Sequence, residues 1–435
     1  MAIPAQGTSV ILPAMSKPEL IELLPAAARK APKTPEQVAE VLVEARQAGR
    51  KVVVFSTGHG IPPIGDTSER ILLDMSAFDK VEIDPAMKVA RIGGAVRWQQ
   101  LIQAANRHGL TAPFGSASSV GVTGYMMGGG IGFMSRYLGL GCSAIRTVQL
   151  VTPDGMTLRI DANSDPDLFW ALRGGGGGFG VITGMEIELT PMPQMAAGVL
   201  AWGIESAGKV LEGWSEWTRG IPDDVTSAVR LVHPPEGPSM AAIVVAAPRA
   251  ADDLAGLLGP LDAMEPMLNT VGDTDPEAFM AEYSDPEIDP EEPPHVFEHV
   301  LLDQLPPQAS QLAAAFAQPG TGCGAMMVEL RHLGGALARP AIGGGAMDRV
   351  DGEFSLFVVG FAEAADSMAH AVDVLSDFGR GRTYINFMAR RTGRETAYGP
   401  ATITRLAEVY QAVDPQGLLD HPHPIVPAAA AVNHV

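Results

Sequence analysis

Apolar residues in "TPEQVAEVLVEARQAGR" fall at Val38, Val41, Leu42 and Ala45, the three-and-four spacing of one helical face. Thr34 stands where an N-cap would, Gln37 follows three positions on, and Gly49 ends the pattern. The unbroken apolar run "KVVVFS" then predicts a buried strand, and "TGHG" the turn after it. "RILLDMS" and "VEIDPAMKVARIGGAV" predict further strands, the second broken by a turn at Asp84-Pro85. "RWQQLIQAANRHGL" reads as an amphipathic helix closed by Gly109, and "AIRTVQLVTPDGMTLRI" as a hairpin around Pro-Asp-Gly. "DPDLFWALRGGGGGFG" is a short helix and a glycine turn, and "VITGMEIELTP" a strand.

After Pro193 the texture changes. Short strand patterns ("SAVRLVH", "AAIVVAA", "MMVELRHL", "FSLFVVGF") alternate with helical ones ("AGKVLEGWSEWTR", "AADDLAGLLGPLDAM"). This predicts an antiparallel sheet with helices on one face. "TDPEAFMAEYSDPEIDPEEPPHVFEH" is acidic and proline-rich, a solvated loop or a lid. "TYINFMARR" and "ATITRLAEVYQAVDPQGLLDHPHP" predict a terminal segment that packs back on the first part. The expected fold class is α+β, in three parts: 1–195, 196–380 and 381–435.

A chain of 435 residues can hold two or three domains with ordinary cores. Its formal net charge of −20 repels phosphate backbones and anionic bilayers, so neither nucleic acid nor membrane is an expected partner. Cys142 and Cys323 are too few for a disulfide framework or a cysteine-rich zinc site, and they fit a reducing compartment. The first residues lack the basic and apolar regions of a secretory signal, so a cytoplasmic setting is expected, and separately a monomer or homodimer.

The 49 glycines need a reason. Gly175, Gly177 and Gly180 match G-x-G-x-x-G, but a helix precedes them and a strand follows. A dinucleotide fingerprint demands the reverse order, which argues against a Rossmann fold. "GVTGYMMGGGIG" lacks the ending of a phosphate-binding P-loop. Glycine turns do bring backbone N–H groups close to a ligand, and successive N–H groups bind phosphate without a basic side chain. "STGHG" and "GSASSVGVTG" are therefore either tight turns between packed elements or a cradle for an anionic cofactor. His295, Glu298 and His299 in "HVFEH" match H-x-x-E-H. They follow a loop-like stretch and predict the start of a short helix; no metal is expected.

The order of these segments resembles one family: FAD-linked oxidases of the vanillyl-alcohol oxidase and p-cresol methylhydroxylase (PCMH) fold, in the berberine-bridge-enzyme-like branch. Thr34 to about Pro193 and Thr383 to about Leu419 carry the resemblance, most specifically from Gly121 to Gly180. It implies a two-part PCMH-type FAD-binding domain and a substrate domain with a helix-covered antiparallel sheet. The flavin pyrophosphate would lie on Ser56, Thr57, Gly58, His59 and Gly60, and on Phe114, Gly115, Ser116, Ala117, Ser118, Val120, Gly121 and Gly124. Further contacts would come from Gly180 and Val181.

By the same resemblance, His59 would bond covalently to the flavin 8α-methyl. Ala117 stands where some members place a second, cysteinyl tether, so a single bond is implied. Val120 would lie at the position that admits oxygen. The segment before His59 and the residues after "DPQ" depart from the family pattern.

The implied activity is oxidation. Hydride leaves a C–H next to oxygen or nitrogen of a sugar, an alcohol or an alkaloid-like compound, and O2 takes the electrons on to H2O2. A cyclase or isomerase keeping FAD without net turnover, or a flavin-binding protein, needs the same cradle. Tyr384 in "YINF" is the first candidate base, with Asn386 on the same face of an expected strand. Glu329 and Arg331 in "VELRHLGG" share a strand face, either as an arginine-held carboxylate at the substrate or as an exposed ion pair.

Overall fold

The computed structural model describes residues 24–60, 64–234, 237–283, 295–320 and 322–425. The chain's first 23 residues, and 284–294 of the acidic stretch read above as loop or lid, lie outside them. Strands are numbered in chain order.

The predicted first helix spans Pro35–Gln47, with Thr34 Oγ1 accepting from Gln37 N–H and the four expected apolar residues buried. It covers a parallel sheet of β1 (Ala28–Lys30), β2 (Val52–Phe55), β3 (Ile71–Asp74) and β19 (Leu419–Asp420), ordered β1-β3-β2-β19. Val52, Ile71 and Leu73 enter one apolar cluster and Val53, Phe55 and Leu72 another, which is why these strands read as unbroken apolar runs.

Beside it stands an antiparallel sheet of β4 (Val81–Asp84), β5 (Val89–Gly93), β7 (Ile145–Val151), β8 (Thr157–Ile160) and β9 (Val181–Glu188), ordered β4-β5-β9-β7-β8. The predicted hairpin is β7 with β8. β6 (Leu110–Thr111) pairs with β10 (Thr190–Pro191).

A third, eight-stranded sheet comprises β11 (Met195–Gly203), β12 (Thr226–Val232), β13 (Met240–Ala247), β14 (Leu268–Asn269), β15 (Gly272–Thr274), β16 (His295–Leu302), β17 (Ala325–His332) and β18 (Phe354–Phe361). Its main path runs β14-β11-β13-β12-β17-β18-β16. Alternation sends Val229 and Leu231 to a core with helices Ala207–Thr218, Pro307–Phe316 and Ala365–Ser376. Ala228, Val244 and Ala246 face the other way, into a core shared with the first part of the chain. That second face carries the site.

Four local expectations change. "TDPEAFMAEY" contains a helix, Pro276–Tyr283, and Phe279 is buried 6.1 Å from the Phe114 ring centre and 5.5 Å from that of Phe133. Its two buried apolar side chains, Phe279 and Met280, gave too little periodicity to outweigh the acidic composition. "AADDLAGLLGPLDAM" splits into helices Ala251–Ala255 and Gly259–Asp262 around Gly256. "HVFEH" opens β16 instead of a helix, held by pairing with β18. "YINF" is no strand: Tyr384 precedes a single 3-10 turn, Ile385–Phe387.

The terminal segment does return to the first part. Helix Pro400–Val413 sets Arg405 over the Trp170 ring at 4.0 Å, and β19 pairs with β2. Arg394 is fully buried, donating to the carbonyls of Gly175, Gly177 and His423. Among the described residues, no helix is long and apolar enough to cross a membrane.

Candidate active site

Two loops form a cradle. The first leaves β2 and runs from Ser56 to Gly60, with Gly58 at φ +87°. The second, Gly115 to Gly121, is stitched to the start of helix Trp98–Asn106: Gln99 N–H donates to Ser118 O and Trp98 N–H to Val120 O, both at 3.0 Å. Ser119 Oγ meets His59 Nε2 at 3.3 Å, so the loops touch. A Cβ on Gly121 would come to 3.3 Å from Ser56 Oγ, so the two loops pack closely here.

Among the described residues, the N–H groups of Thr57, Gly58 and Ser116 to Ser119 meet no protein acceptor. The hydroxyls of Ser56, Thr57, Ser116, Ser118 and Ser119 line the same loops. This donor set fits a pyrophosphate and needs no basic side chain. His59 is exposed at the cradle, yet desolvation by the loops and then the Arg97 charge lower its pKa to about 4. Its imidazole is neutral at neutral pH.

Other predicted cradle residues have different places. Gly180, at φ +141°, precedes β9, and a Cβ there would lie 2.9 Å from Leu150 Cδ1. Phe114 and Val181 bury their side chains in the core, so only their backbones could meet a ligand. Gly124 lies within helix Val122–Met127, and Ala117 and Val120 are half-buried in the second loop.

The eight-stranded sheet supplies a wall. Its register sets Arg230, Glu329, Phe357 and His299 in one row across β12, β17, β18 and β16. Arg230 Nε donates to Glu329 Oε2 at 2.7 Å, and Arg331 Nε to Oε1 at 3.0 Å. The cluster is buried, unlike the exposed ion pair that was one sequence expectation. Burial alone would raise the Glu329 carboxyl; the guanidiniums of Arg331 and Arg230 outweigh it and hold the pKa below the usual carboxylate value. The Arg331 guanidinium also stacks 4.6 Å from the Phe133 ring centre.

Phe297, Phe357 and Phe387 are half-buried beside this row. Centroid distances are 5.4 Å for Phe297–Phe357 and 5.0 Å for Phe357–Phe387. His299 Nδ1 accepts from Tyr384 N–H, which places the ring proton on Nε2, 3.0 Å from Ser355 Oγ.

The turn from Gly128 to Gly132 is the seam between cradle and wall. Gly130 N–H donates to Tyr384 Oη at 2.6 Å, Asn386 Nδ2 donates to the same oxygen at 2.8 Å, and Arg331 reaches Ile131 O. On the other side, a Cβ on Gly115 would lie 2.8 Å from the Tyr125 ring. Tyr384 and Asn386 thus belong to the wall, one ring removed from the cradle. Burial raises the Tyr384 phenol well above its ordinary value, with the neighbouring Tyr125 adding to it.

Sequence reasoning missed Arg230, the three phenylalanines and Arg394, and weighed His299 only as part of a metal motif. Arg230 had a signal, as the one charge in "SAVRLV". His299 had one in its two-residue spacing from Phe297.

Residues 26–161 match the family model for an FAD binding domain. The chain carries an FAD-binding domain. This domain includes both cradle loops. Sequence relatives include (R)-6-hydroxynicotine oxidase of Paenarthrobacter nicotinovorans, 36% identical over 155 residues. That match covers 35% of this chain and 34% of the relative. An uncharacterized FAD-linked oxidoreductase, YgaK of Bacillus subtilis, is 30% identical over 37% of this chain and 36% of its own length. The chain's matches thus span about a third of these curated relatives.

In three dimensions the likeness is complete in length. The crystal structure of 6-hydroxy-D-nicotine oxidase from Arthrobacter nicotinovorans aligns with TM-score 0.82 over 98% of this chain and 99% of its own, at 22% identity. Xylooligosaccharide oxidase from Myceliophthora thermophila aligns with TM-score 0.79 over 93% of each chain, at 22% identity. The FAD-binding domain and its sheet partner therefore have the PCMH-type fold that the sequence resemblance implied.

Proposed function

We propose that the chain is an FAD-dependent oxidase of a ring-bearing amine or alcohol. The observation that carries this reading is the seam: a donor-rich glycine cradle on one side of Gly128–Gly132 and a half-buried aromatic wall on the other. FAD supplies a two-electron acceptor for hydride from a C–H next to nitrogen or oxygen. The cradle loops hold it, and His59 ties it by a single covalent bond. The wall binds the substrate, and O2 restores the cofactor with release of H2O2. The part that holds FAD and the part that binds substrate divide near residue 195.

Phe297, Phe357 and Phe387 suit a flat apolar ring, while Glu329 is already bonded by Arg230 and Arg331, and His299 by Ser355 and the Tyr384 N–H. An oligosaccharide would need polar partners that this row has spent. The neutral Tyr384 phenol and the clamped Glu329 are both poor proton acceptors as placed. A neutral amine, whose nitrogen lone pair drives hydride departure, needs no such base, so an amine is favoured over an alcohol. The relative named for 6-hydroxynicotine supports that choice. Two buried free cysteines support a cytoplasmic setting.

Anaerobic mixing with a panel of cyclic amines, aromatic alcohols and oligosaccharides tests the reading. Ring-bearing amines should bleach the flavin, and air should restore it with release of peroxide. Bleaching only by oligosaccharides would overturn the substrate class. No bleaching by any compound would favour the redox-neutral or non-catalytic alternatives.

A further inference from the structure

We propose that the substrate is an elongate amine: its ring meets the aromatic wall, and an apolar extension lies along a strip at the rim of the eight-stranded sheet. This substrate class deepens the amine-oxidase reading above and rests on it. The register aligns Met240, Val232, Met327, Val359 and Phe297 across β13, β12, β17, β18 and β16. The strip is one row beyond that of Arg230, Glu329, Phe357 and His299, near the edge where β12 and β18 end and β13, β16 and β17 begin. Five strands at about 4.8 Å spacing span roughly 19 Å, longer than any one ring.

Strand alternation fixes which way the strip faces. Leu231, Val328, Val358 and Val296, each one position away, enter the core with the helices. The five strip residues therefore look to the side that carries the site. All five are half-buried. Among the described residues, none belongs to either core that flanks the sheet, and none packs on one as a partly buried neighbour. A contiguous apolar row of this kind gains free energy when an apolar group covers it.

Continuity with the site says what covers it. Phe297 ends the strip and lies 5.4 Å from Phe357, Phe357 lies 5.0 Å from Phe387, and Phe387 lies 5.3 Å from Tyr384. Tyr384 Oη meets Gly130 at the seam. One ligand can reach from seam to rim along aromatic and aliphatic surface. The row of Arg230 and Glu329 offers no such path, because its charges are bonded to each other. Met240 and Met327 add flexible thioether chains, which adapt to extensions of different outline.

Contacts along the strip are equal in the ground state and the transition state, so they should lower KM and leave the limiting rate alone. The test uses the full-length FAD-loaded chain and N-alkylpiperidines from methyl to octyl. Anaerobic bleaching gives the limiting rate. Equilibrium dialysis against dithionite-reduced protein gives affinity without turnover. Affinity should rise roughly threefold per methylene until the strip is filled. Bleaching with affinity that ignores chain length would overturn the strip. Affinity that follows chain length without bleaching would instead overturn the amine as substrate, a separate failure.

Met327→Gln sets an amide of similar size in the middle of the strip. The octyl-to-methyl affinity ratio should fall about tenfold, and Met327→Leu should restore it. A fold defect would weaken both ligands alike; an unchanged ratio would remove Met327 from the role. A change from dimer to monomer in Met327→Gln, read by size exclusion, would mean that a second copy covers the strip and would overturn the substrate as its occupant.

Discussion

On the cradle side of the Gly128–Gly132 turn, backbone N–H groups at Thr57, Gly58 and Ser116 to Ser119 meet no protein acceptor among the described residues. On the sheet side, Glu329 accepts from two guanidiniums, His299 bonds at both ring nitrogens, and Tyr384 Oη accepts two hydrogen bonds. The cradle reaches its full set of bonds only with a ligand, whereas the wall is complete beforehand. Substitutions in the wall should therefore damage the fold, and substitutions in the cradle should damage cofactor binding.

The largest test of this contrast is Glu329→Ala, which strips Arg331 and Arg230 of a shared buried anion. About 3–5 kcal/mol of stability should disappear in denaturant titrations. A loss under ~1 kcal/mol would mean that the triad is not structural.

Gly132→Ala strikes the seam. Its Cβ would come to 1.7 Å from Phe114 O, a backbone atom that cannot step aside. About 3 kcal/mol and most of the bound flavin should be lost together; full flavin content in a stable protein would uncouple seam from cradle.

Tyr384→Phe leaves Gly130 N–H without its acceptor and removes one of two for Asn386 Nδ2. We expect a cost of about 1–2 kcal/mol with FAD retained and flavin reduction little changed, since the phenol is a poor proton acceptor. Unchanged stability would remove Tyr384 from the seam, and a much slower reduction would restore it as a candidate base.

Acid sharpens the picture through His299, whose pKa falls to about 3 by burial first and then by the Arg331 charge. The unfolded chain protonates this ring near pH 6.5 and the folded chain does not, so stability is full above 6.5 and declines as pH falls toward 3. The decline should reach about 1.4 kcal/mol per pH unit, and His299→Gln should remove that share of the slope. An identical slope in the variant would refute it.

The smallest change in stability is expected in the cradle. Ser116→Ala should leave unfolding within about 0.5 kcal/mol, yet weaken FAD binding in reconstitution titrations. A large loss of stability there would erase the contrast between the two sides.

The cradle was legible in the sequence because each loop is contiguous: "STGHG" and "GSASSVGVTG" carry their glycines, hydroxyls and His59 in order. The wall was not, because its row joins four strands between residues 226 and 361 and exists only through their register. Glu329 and Arg331 were found as neighbours on one strand, but their burial depended on Phe133 and Ile131, which are distant in sequence. Tyr384 and Asn386 were expected together on a strand; a 3-10 turn brings them together instead, since a single turn also sets i and i+2 within reach. Phe279 was hidden by the charges around it.

β19 pairs with β2, so the strand from which the first cradle loop emerges gains its last neighbour some 370 residues of synthesis after it leaves the ribosome. Arg394 likewise reaches back to fasten the glycine turn at Gly175 and Gly177. The strand that bears the loop is thus paired early on one edge, by β3, and completed late on the other, by β19. The first cradle loop therefore takes its final footing from the far end of the sequence, and the fold closes its N-terminal sheet last.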